Sequence, residues 1–229
     1  MQAQGDARRG AYLAKAAGCA GCHTAKKEGA APYAGGRELK TPFGIFYGPN
    51  ITPHPESGIG RWSEADFLRA LPPDARKNQP HELRAPYGWR FLVGAWKWLY
   101  FTPGPFAADA TKPAALNRGA YLVEALGHCG ECHTPRNFLG GTQRERRLAG
   151  TASGPDGKGV PNLTPAKLRK WDDRELREFL QTGLTPDGDV AAETMGEVVR
   201  NTTSQLTPED LAALIAYLRS LPPLDDERR

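Results

Sequence analysis

The sequence predicts an all-α protein made of two related domains. Two observations predict this fold class: an internal repeat, and short helices bounded by glycine or proline. In the repeat, residues 9–13 (Arg-Gly-Ala-Tyr-Leu) return as residues 118–122, and residues 49–52 (Pro-Asn-Ile-Thr) return as residues 161–164 with Leu in place of Ile. Segments that recur in the same order are typical of a duplicated structural unit. The 229 residues therefore divide into two halves of the same design.

Each half begins with a predicted helix. Residues 6–17 and 116–126 are rich in Ala and Leu and stop at Gly18 and Gly127, as helices that end at glycine do. The last predicted helix begins at residues 207–210, Thr-Pro-Glu-Asp, which supply a cap, a first-turn proline and acidic residues near the positive end of the helix dipole. Little or no β-sheet is expected, and residues 225–229 are expected to fray.

Both halves contain the motif Cys-x-x-Cys-His, and the two copies use all four cysteines of the chain. The motif is typical of covalent haem c attachment, in which both thiols bond to the porphyrin and the adjacent His binds the iron. Zinc is the alternative, because two Cys pairs can supply four thiolates. The separation of the pairs and the His after each pair favour two haem c groups. The assigned residues are Cys19, Cys22 and His23 for haem 1 and Cys129, Cys132 and His133 for haem 2.

Composition and charge indicate which partners and which cellular location to expect. The formal net charge of +4 would be roughly cancelled by the propionates of two haems, so nucleic acid is not an expected partner. No apolar stretch reaches the ~20 residues that a transmembrane helix needs. Residues 1–5 lack the apolar run of a signal peptide. Because haem is normally attached outside the bacterial cytoplasm, we expect a mature periplasmic protein whose signal peptide is absent from this sequence.

The two halves differ in length after the second repeated segment. Both reach a Leu-Pro-Pro sequence, but the first half reaches it about forty residues earlier. The part that it lacks is where the second half has its internal methionine, Met195. This asymmetry predicts a shortened first domain and a complete second domain joined by a linker. The predicted boundaries are residues 1–73 for the N-terminal haem domain, 74–115 for the linker and 116–229 for the C-terminal haem domain.

Four segments carry a resemblance to a known family: residues 50–53, 117–122, 127–137 and 195–199. Together they are similar to the di-haem c-type cytochromes, and cytochrome subunits, that serve periplasmic dehydrogenases acting on alcohols, aldehydes and related substrates. The resemblance covers nearly the whole chain. It implies two tandem class I cytochrome c domains, the first truncated, that pass electrons from a catalytic subunit towards the respiratory chain.

The resemblance also implies roles for single residues. Met195 is the implied sixth ligand of haem 2, opposite His133, and a thioether ligand there raises the reduction potential. A core side chain is the other interpretation of Met195. The carbonyl oxygens of Pro49 and Pro161 are implied to accept a hydrogen bond from the ring of each proximal His. Such a bond fixes the ring tautomer and makes the ligand more basic.

Haem 1 departs from the family pattern, because the methionine loop is absent from the first half. The sixth site of haem 1 is therefore vacant or water-bound, or it is filled by His81 or His54. Met1 is a poor substitute at a chain terminus, and Lys26 or Lys27 are weaker candidates than the two imidazoles. His54 follows the repeated Pro-Asn-Ile-Thr segment, which this fold places on the proximal side, whereas His81 belongs to the predicted linker.

The linker contains an aromatic-rich stretch at residues 86–106. One interpretation is a helix packed over the haem domains, and the other is an exposed patch that docks a partner subunit. The aromatic residues are Trp89, Phe91, Trp96, Trp98, Tyr100, Phe101 and Phe106.

Three functions are compatible with these features. The first is a relay of electrons between a periplasmic dehydrogenase and a downstream cytochrome or oxidase, with no substrate bound by the chain itself. The second is a peroxidase-like enzyme or a ligand sensor that uses an open haem 1. The third is a subunit whose shortened domain is completed by a partner chain. The first and third, which are not enzymes on their own, are favoured.

Overall fold

The computed structural model describes residues 5–41, 43–63, 66–67, 80–102, 104–154, 157–191 and 193–226. Its contacts divide the chain into two compact units. The smaller unit is Cys19–Val93, and the larger unit combines Met1–Gly18 with Gly94–Arg229. These units are compact regions of contact, whereas the predicted domains follow the internal repeat. The predicted domain boundaries at residues 73 and 115 therefore stay a prediction. No helix among the described residues is both long and apolar enough to cross a lipid bilayer.

The secondary-structure elements of the larger unit, among its described residues, are helices, with loops and a few isolated bridges between them. In chain order its helices are α1 (Ala7–Ala16), the end of α3 (Arg90–Tyr100), α4 (Ala114–Ala120) continued by a π-helix (Tyr121–Leu126), α5 (Gly130–His133), α6 (Pro165–Leu168), α7 (Asp173–Thr182), α8 (Glu193–Asn201) and α9 (Pro208–Ser220), with short 3-10 turns at Arg144–Arg146 and Thr203–Gln205. The predicted helices at residues 6–17, 116–126 and 207 onward are confirmed.

Helix α9 is the centre of the larger unit. The Thr207 side chain caps it by accepting a hydrogen bond from the Asp210 backbone N–H at 3.2 Å. Its apolar stripe, Leu211, Leu214, Ile215 and Leu218, is buried. Helix α4 crosses it so closely that a Cβ at Gly119 would lie 2.0 Å from the Ala213 carbonyl oxygen. Because only glycine fits there, this position sets the distance between the two helices.

Helix α1 comes from the first half of the sequence but packs in the larger unit. Ala16 is buried in its core, and the Tyr12 hydroxyl donates a hydrogen bond to the Asp210 carboxylate at the start of α9. The same carboxylate accepts two hydrogen bonds from the Arg118 guanidinium, at 2.8 and 2.6 Å. One carboxylate thus joins the first helix of each half to the last helix of the chain.

The C-terminal residues do not fray as predicted. The Leu224 carbonyl oxygen accepts a hydrogen bond from the Asn162 amide at 2.7 Å, and Asp226 forms an ion pair with Lys167 at 2.8 Å. The expectation of a frayed tail is therefore wrong as far as residue 226, because these polar contacts hold it against the body of the larger unit.

The smaller unit contains helix α2 (Cys19–His23), the beginning of α3, and an antiparallel three-stranded sheet in the order β1 (Glu38–Thr41), β2 (Gly44–Tyr47), β3 (Glu82–Leu83). The all-α expectation is therefore wrong for this unit. Glu38 pairs with Tyr47, and Gly44 pairs with Leu83. A Cβ at Gly44 would lie 2.2 Å from the Glu82 carbonyl oxygen, so glycine permits the third strand to approach.

Candidate haem sites

The first Cys-x-x-Cys-His motif lies on helix α2 of the smaller unit, and the second lies on helix α5 of the larger unit with Cys129 as the N-cap. None of the four cysteines is joined in a disulfide. One helical turn brings the two thiols of a motif towards the same side of the helix, with the His directly after them. Each motif therefore presents two thiols and one imidazole together, as covalent haem attachment requires.

The ring of each motif histidine donates a hydrogen bond from Nδ1 to a backbone carbonyl oxygen. The distances are 2.8 Å from His23 to Pro49 and 2.7 Å from His133 to Pro161. A carbonyl oxygen can only accept, so Nδ1 carries the proton and the lone pair of Nε2 is left for a metal. Both hydrogen bonds expected from the resemblance are present. Burial also lowers the pKa of His133, which favours the neutral ring that metal binding needs.

The loop behind each histidine is built in the same way in both units. The backbone N–H of Gly35 donates to the His23 carbonyl oxygen at 2.7 Å, and that of Gly150 donates to the His133 carbonyl oxygen at 2.8 Å. Both glycines have positive φ, +81° and +75°. A Cβ on either would lie within 2.7 Å of the backbone nitrogen that follows the proline, which belongs to Asn50 or Asn162. Glycine is therefore required twice, at equivalent positions.

Two further pairs of residues complete the correspondence. Tyr33 and Leu148 both adopt positive φ, 62° and 60°, which is uncommon for residues with side chains. The backbone N–H of each donates to a threonine hydroxyl just after the motif, Thr24 at 3.0 Å and Thr134 at 3.1 Å. The loops are alike in backbone geometry although their sequences differ. These two positions could not be predicted from the sequence, because Tyr and Leu are not residue types that indicate a left-handed backbone.

The asparagine after each proline holds the turn with its side chain. The Asn50 carbonyl accepts from the backbone N–H of Thr52 at 2.9 Å, and the Asn162 carbonyl accepts from that of Thr164 at 2.7 Å. Such Asx turns fix the local backbone. The repeated Pro-Asn-x-Thr sequence thus fixes the carbonyl that orients the histidine ring.

Met195 lies on helix α8 and is half-buried against the apolar core of the larger unit. Leu163 and Cys129 pack against the same core. The motif of haem 2 and the predicted sixth ligand thus share one apolar environment. Ligation of iron by Met195 stays a prediction.

His54 and His81 differ from the motif histidines in their hydrogen bonding. Nδ1 of His54 accepts from the backbone N–H of Glu56 at 3.3 Å and of Ser57 at 3.1 Å. Nδ1 of His81 accepts from the backbone N–H of Tyr47 at 3.2 Å. An imidazole that accepts at Nδ1 carries its proton on Nε2, so neither nitrogen has a free lone pair. Met1, a further candidate, lies outside the described residues.

A buried carboxylate also lies near the second motif. Glu124, on the π-helix, accepts a hydrogen bond from the Tyr217 hydroxyl at 2.7 Å and pairs with Arg147. Burial, with the charge of Glu124 as a smaller cause, raises the pKa of the Cys129 thiol to about 12. The unbound thiol therefore stays neutral at physiological pH. No sequence motif marks Glu124, because its partners are distant along the chain.

The residues of both units fit covalent haem c. Each unit has two cysteines outside any disulfide and a histidine with an unprotonated Nε2, and the larger unit also has an apolar core beside the motif. Comparison with known proteins also indicates a c-type cytochrome. The family model described as cytochrome c matches residues 116–222, so the second half is a cytochrome c domain.

Similar proteins cover most of the chain. A di-haem c-type cytochrome of Cereibacter sphaeroides is 40% identical over 96% of this chain and 88% of its own length. The fructose dehydrogenase cytochrome subunit of Gluconobacter japonicus is 35% identical over 93% of this chain and 52% of its own. The alcohol dehydrogenase (quinone) cytochrome c subunit of Gluconacetobacter polyoxogenes is 31% identical over 95% and 56%. The chain thus belongs to the di-haem cytochrome c family, and it spans about half the length of the two dehydrogenase subunits.

The same alignments bear on the shortened first half. The alignment with the Cereibacter protein runs over 263 positions, although this chain has 229 residues, so at least 34 positions of that relative have no counterpart here. The alignments with the two dehydrogenase subunits run over 257 and 271 positions. The shortening of the first half itself stays a prediction.

Proposed function

We propose that this protein is a di-haem c-type cytochrome that accepts electrons from a periplasmic dehydrogenase and passes them towards the respiratory chain. The observation that carries the proposal is the duplicated histidine–proline arrangement, His23 with Pro49 and His133 with Pro161. A bound haem c supplies a one-electron Fe(III)/Fe(II) couple. The names of the relatives, which are cytochromes and dehydrogenase cytochrome subunits, favour this role over the peroxidase-like alternative.

In this proposal the larger unit holds haem 2. Cys129 and Cys132 bond to the porphyrin, His133 binds the iron, and Met195 is the sixth ligand. The placement of Met195 and Cys129 against the same core supports this ligand set. Thioether ligation stabilises ferrous iron, so haem 2 is the higher-potential centre and the one that receives electrons last within the chain.

The smaller unit holds haem 1 through Cys19, Cys22 and His23, and we propose that its sixth position lacks a strong protein ligand. The Nδ1 atoms of His54 and His81 both accept backbone hydrogen bonds, which argues against either as the ligand. We further propose that a partner subunit covers this haem and completes the shortened domain. The early Leu-Pro-Pro sequence of the first half, about forty residues before that of the second half, supports this.

Counting the haems and their electrons tests the proposal. The chain, produced with a periplasmic haem-maturation system, should have the mass of the polypeptide plus two haems. Replacing Cys19 and Cys22 by Ser should remove one haem, and replacing Cys129 and Cys132 by Ser should remove the other. Voltammetry of the intact protein should give two one-electron waves. One haem per chain, or rapid turnover of hydrogen peroxide by the reduced protein, would contradict a relay function.

A further inference from the structure

A tight turn brings Glu124 next to the first cysteine of the second motif. The chain turns back at Gly127, directly after the π-helix that carries Glu124. A Cβ at Gly127 would lie 2.7 Å from the Leu122 carbonyl oxygen, so the turn is closely packed. The Cys129 backbone N–H donates to the Val123 carbonyl oxygen at 3.0 Å. Because that carbonyl belongs to the peptide bond between Val123 and Glu124, the acid and the cysteine are neighbours in space.

The π-helix distinguishes this part of the second half from the first half. In the repeat, the first motif begins six residues after Leu13, whereas the second begins seven residues after Leu122. The wider turn of a π-helix accommodates one extra residue, and such segments are frequent at functional sites. At the repeat position of Glu124 the first half has Lys15. The carboxylate therefore belongs to the second site alone and is not part of the arrangement that the two sites share.

The Glu124 side chain is a buried negative charge. Only 8% of it is exposed, and a haem attached at Cys129 could only bury it further. One carboxylate oxygen accepts a hydrogen bond from the Tyr217 hydroxyl at 2.7 Å, and the other pairs with the Arg147 guanidinium. Burial and the Glu124 hydrogen bond raise the pKa of Tyr217, so its hydroxyl keeps the proton that it donates. A buried carboxylate stays ionised when it has partners of this kind.

A charge at this place acts on any group bonded to Cys129. Burial, followed by the charge of Glu124, raises the pKa of the Cys129 thiol to about 12, so the carboxylate opposes a second negative charge at that sulfur. Reduction of a haem adds one electron to the iron–porphyrin unit. In low-dielectric surroundings a fixed negative charge disfavours that electron, and a fixed positive charge favours it. Glu124 should therefore lower the reduction potential of a haem bonded at Cys129.

We propose that Glu124 sets the reduction potential of haem 2: its buried carboxylate lowers the potential, and the paired Arg147 limits the lowering. The inference rests on the proposed function, because it takes Cys129 as an attachment point of haem 2. Met195 and Glu124 then act on one centre in opposite directions, since thioether ligation raises the potential that the carboxylate lowers.

Potentiometric titration of the full-length protein with both haems, at pH 8, tests this inference. The midpoint that is absent from the Cys129→Ser, Cys132→Ser protein belongs to haem 2. Glu124→Gln keeps the shape of the side chain and removes its charge, so haem 2 should become about tenfold easier to reduce, which corresponds to a rise of about 59 mV. Arg147→Gln should move the same midpoint in the opposite direction, because it leaves the carboxylate uncompensated. Haem 1 should keep its midpoint in both variants.

Glu131→Gln is the matched control for the loss of a carboxylate near the motif. Glu131 lies between the two cysteines in sequence but on the other side of the helical turn from both. Its side chain is 62% exposed and is paired with Arg136. The variant should change the ease of reduction of haem 2 by less than about twofold, because water and salt screen an exposed charge. Equal haem content and equal visible spectra check that the variants fold.

An unchanged haem 2 midpoint in Glu124→Gln would overturn the inference. Shifts of the same sign in Glu124→Gln and Arg147→Gln would also overturn it, because they would indicate disturbed packing rather than charge. A shift in Glu131→Gln as large as that in Glu124→Gln would assign the effect to net charge and would contradict a specific role of Glu124. A chain with a single haem, recognised by its mass before any titration, would instead contradict the proposed function on which the inference rests.

Discussion

The two Cys-x-x-Cys-His sites agree on the proximal side and differ elsewhere. Behind His23 and His133 the same glycine, proline and asparagine positions make the same hydrogen bonds. The sites differ in two further respects. The second site has Met195 against the neighbouring core. The Asn162 amide of the second site donates to the C-terminal segment, whereas the Asn50 amide of the first site donates to the Ser57 hydroxyl of its own loop at 3.1 Å. The two sites therefore share the part that orients a proximal ligand, and under the proposed function only the second site supplies a distal one.

The largest effect should come from filling the glycine positions that both sites share. Gly35→Ala places a Cβ within 2.7 Å of the Asn50 backbone nitrogen, and Gly150→Ala places one equally close to that of Asn162. Both positions have a positive φ, which disfavours residues with side chains. Each should lower the free energy of unfolding by about 3 kcal/mol and reduce haem incorporation in its own unit. Denaturant unfolding and haem content measure both effects.

Gly29 and Gly157 are the matched controls, because they also have positive φ but open space at the Cβ position. Gly29→Ala and Gly157→Ala should cost only about 1 kcal/mol. If Gly35→Ala proved as mild as Gly29→Ala while Gly150→Ala stayed severe, the equivalence of the two proximal loops would be lost.

Met195→Ala tests the difference between the distal sides. Removing the proposed thioether ligand should lower the potential of haem 2 by on the order of 0.1 V, because axial ligation is the main determinant of haem potential. Haem 1 should keep its potential. A potentiometric titration followed in the visible bands reads both centres, and two unchanged midpoints would show that Met195 is a core residue only.

Asp210→Asn tests the carboxylate that joins the first helices of the two halves. The hydrogen bond from Arg118 holds the pKa of Asp210 below its ordinary value. A carboxylate with a lowered folded pKa stabilises the fold above the unfolded pKa of about 4, and this stabilisation is lost as pH falls through the folded value. The variant should therefore be about 2 kcal/mol less stable than wild type at pH 7, and the difference should shrink towards pH 3.

Denaturant unfolding at the two pH values measures this dependence. Arg9→Ala is the control, since Arg9 is the repeat counterpart of Arg118 and is exposed on α1; it should change stability by less than about 0.5 kcal/mol. A deficit of the Asp210→Asn protein that stayed constant with pH would mean that Asp210 acts by packing rather than by charge.

The smallest effect is expected at the alternative ligands of haem 1. His54→Ala and His81→Ala remove imidazoles whose Nδ1 atoms accept backbone hydrogen bonds. Each should leave the visible spectrum of the reduced protein unchanged, because neither ring supplies a free lone pair to iron. A new fraction of high-spin haem in either variant would identify that histidine as the sixth ligand.

The sequence allowed the motif residues and the helix boundaries to be predicted because both depend on local signals. The proline at the start of α9 and the glycines after the first helix of each half are signals of this kind. The sheet could not be predicted, since its third strand has two residues and lies far along the chain from the other two. The packing of α1 in the larger unit depends on Tyr12 meeting Asp210, a contact 198 residues apart.

Carbon monoxide binding to the dithionite-reduced protein tests the central claim most directly. Total haem is fixed by the pyridine haemochrome, and the Soret band follows the fraction that binds. We predict binding to about half of the haem, because the proposed ligand sets leave only haem 1 without a strong sixth ligand. Met195→Ala should raise the fraction towards all of it. No binding to the wild type, with two haems present, would mean that both irons already have two strong ligands and would contradict the account.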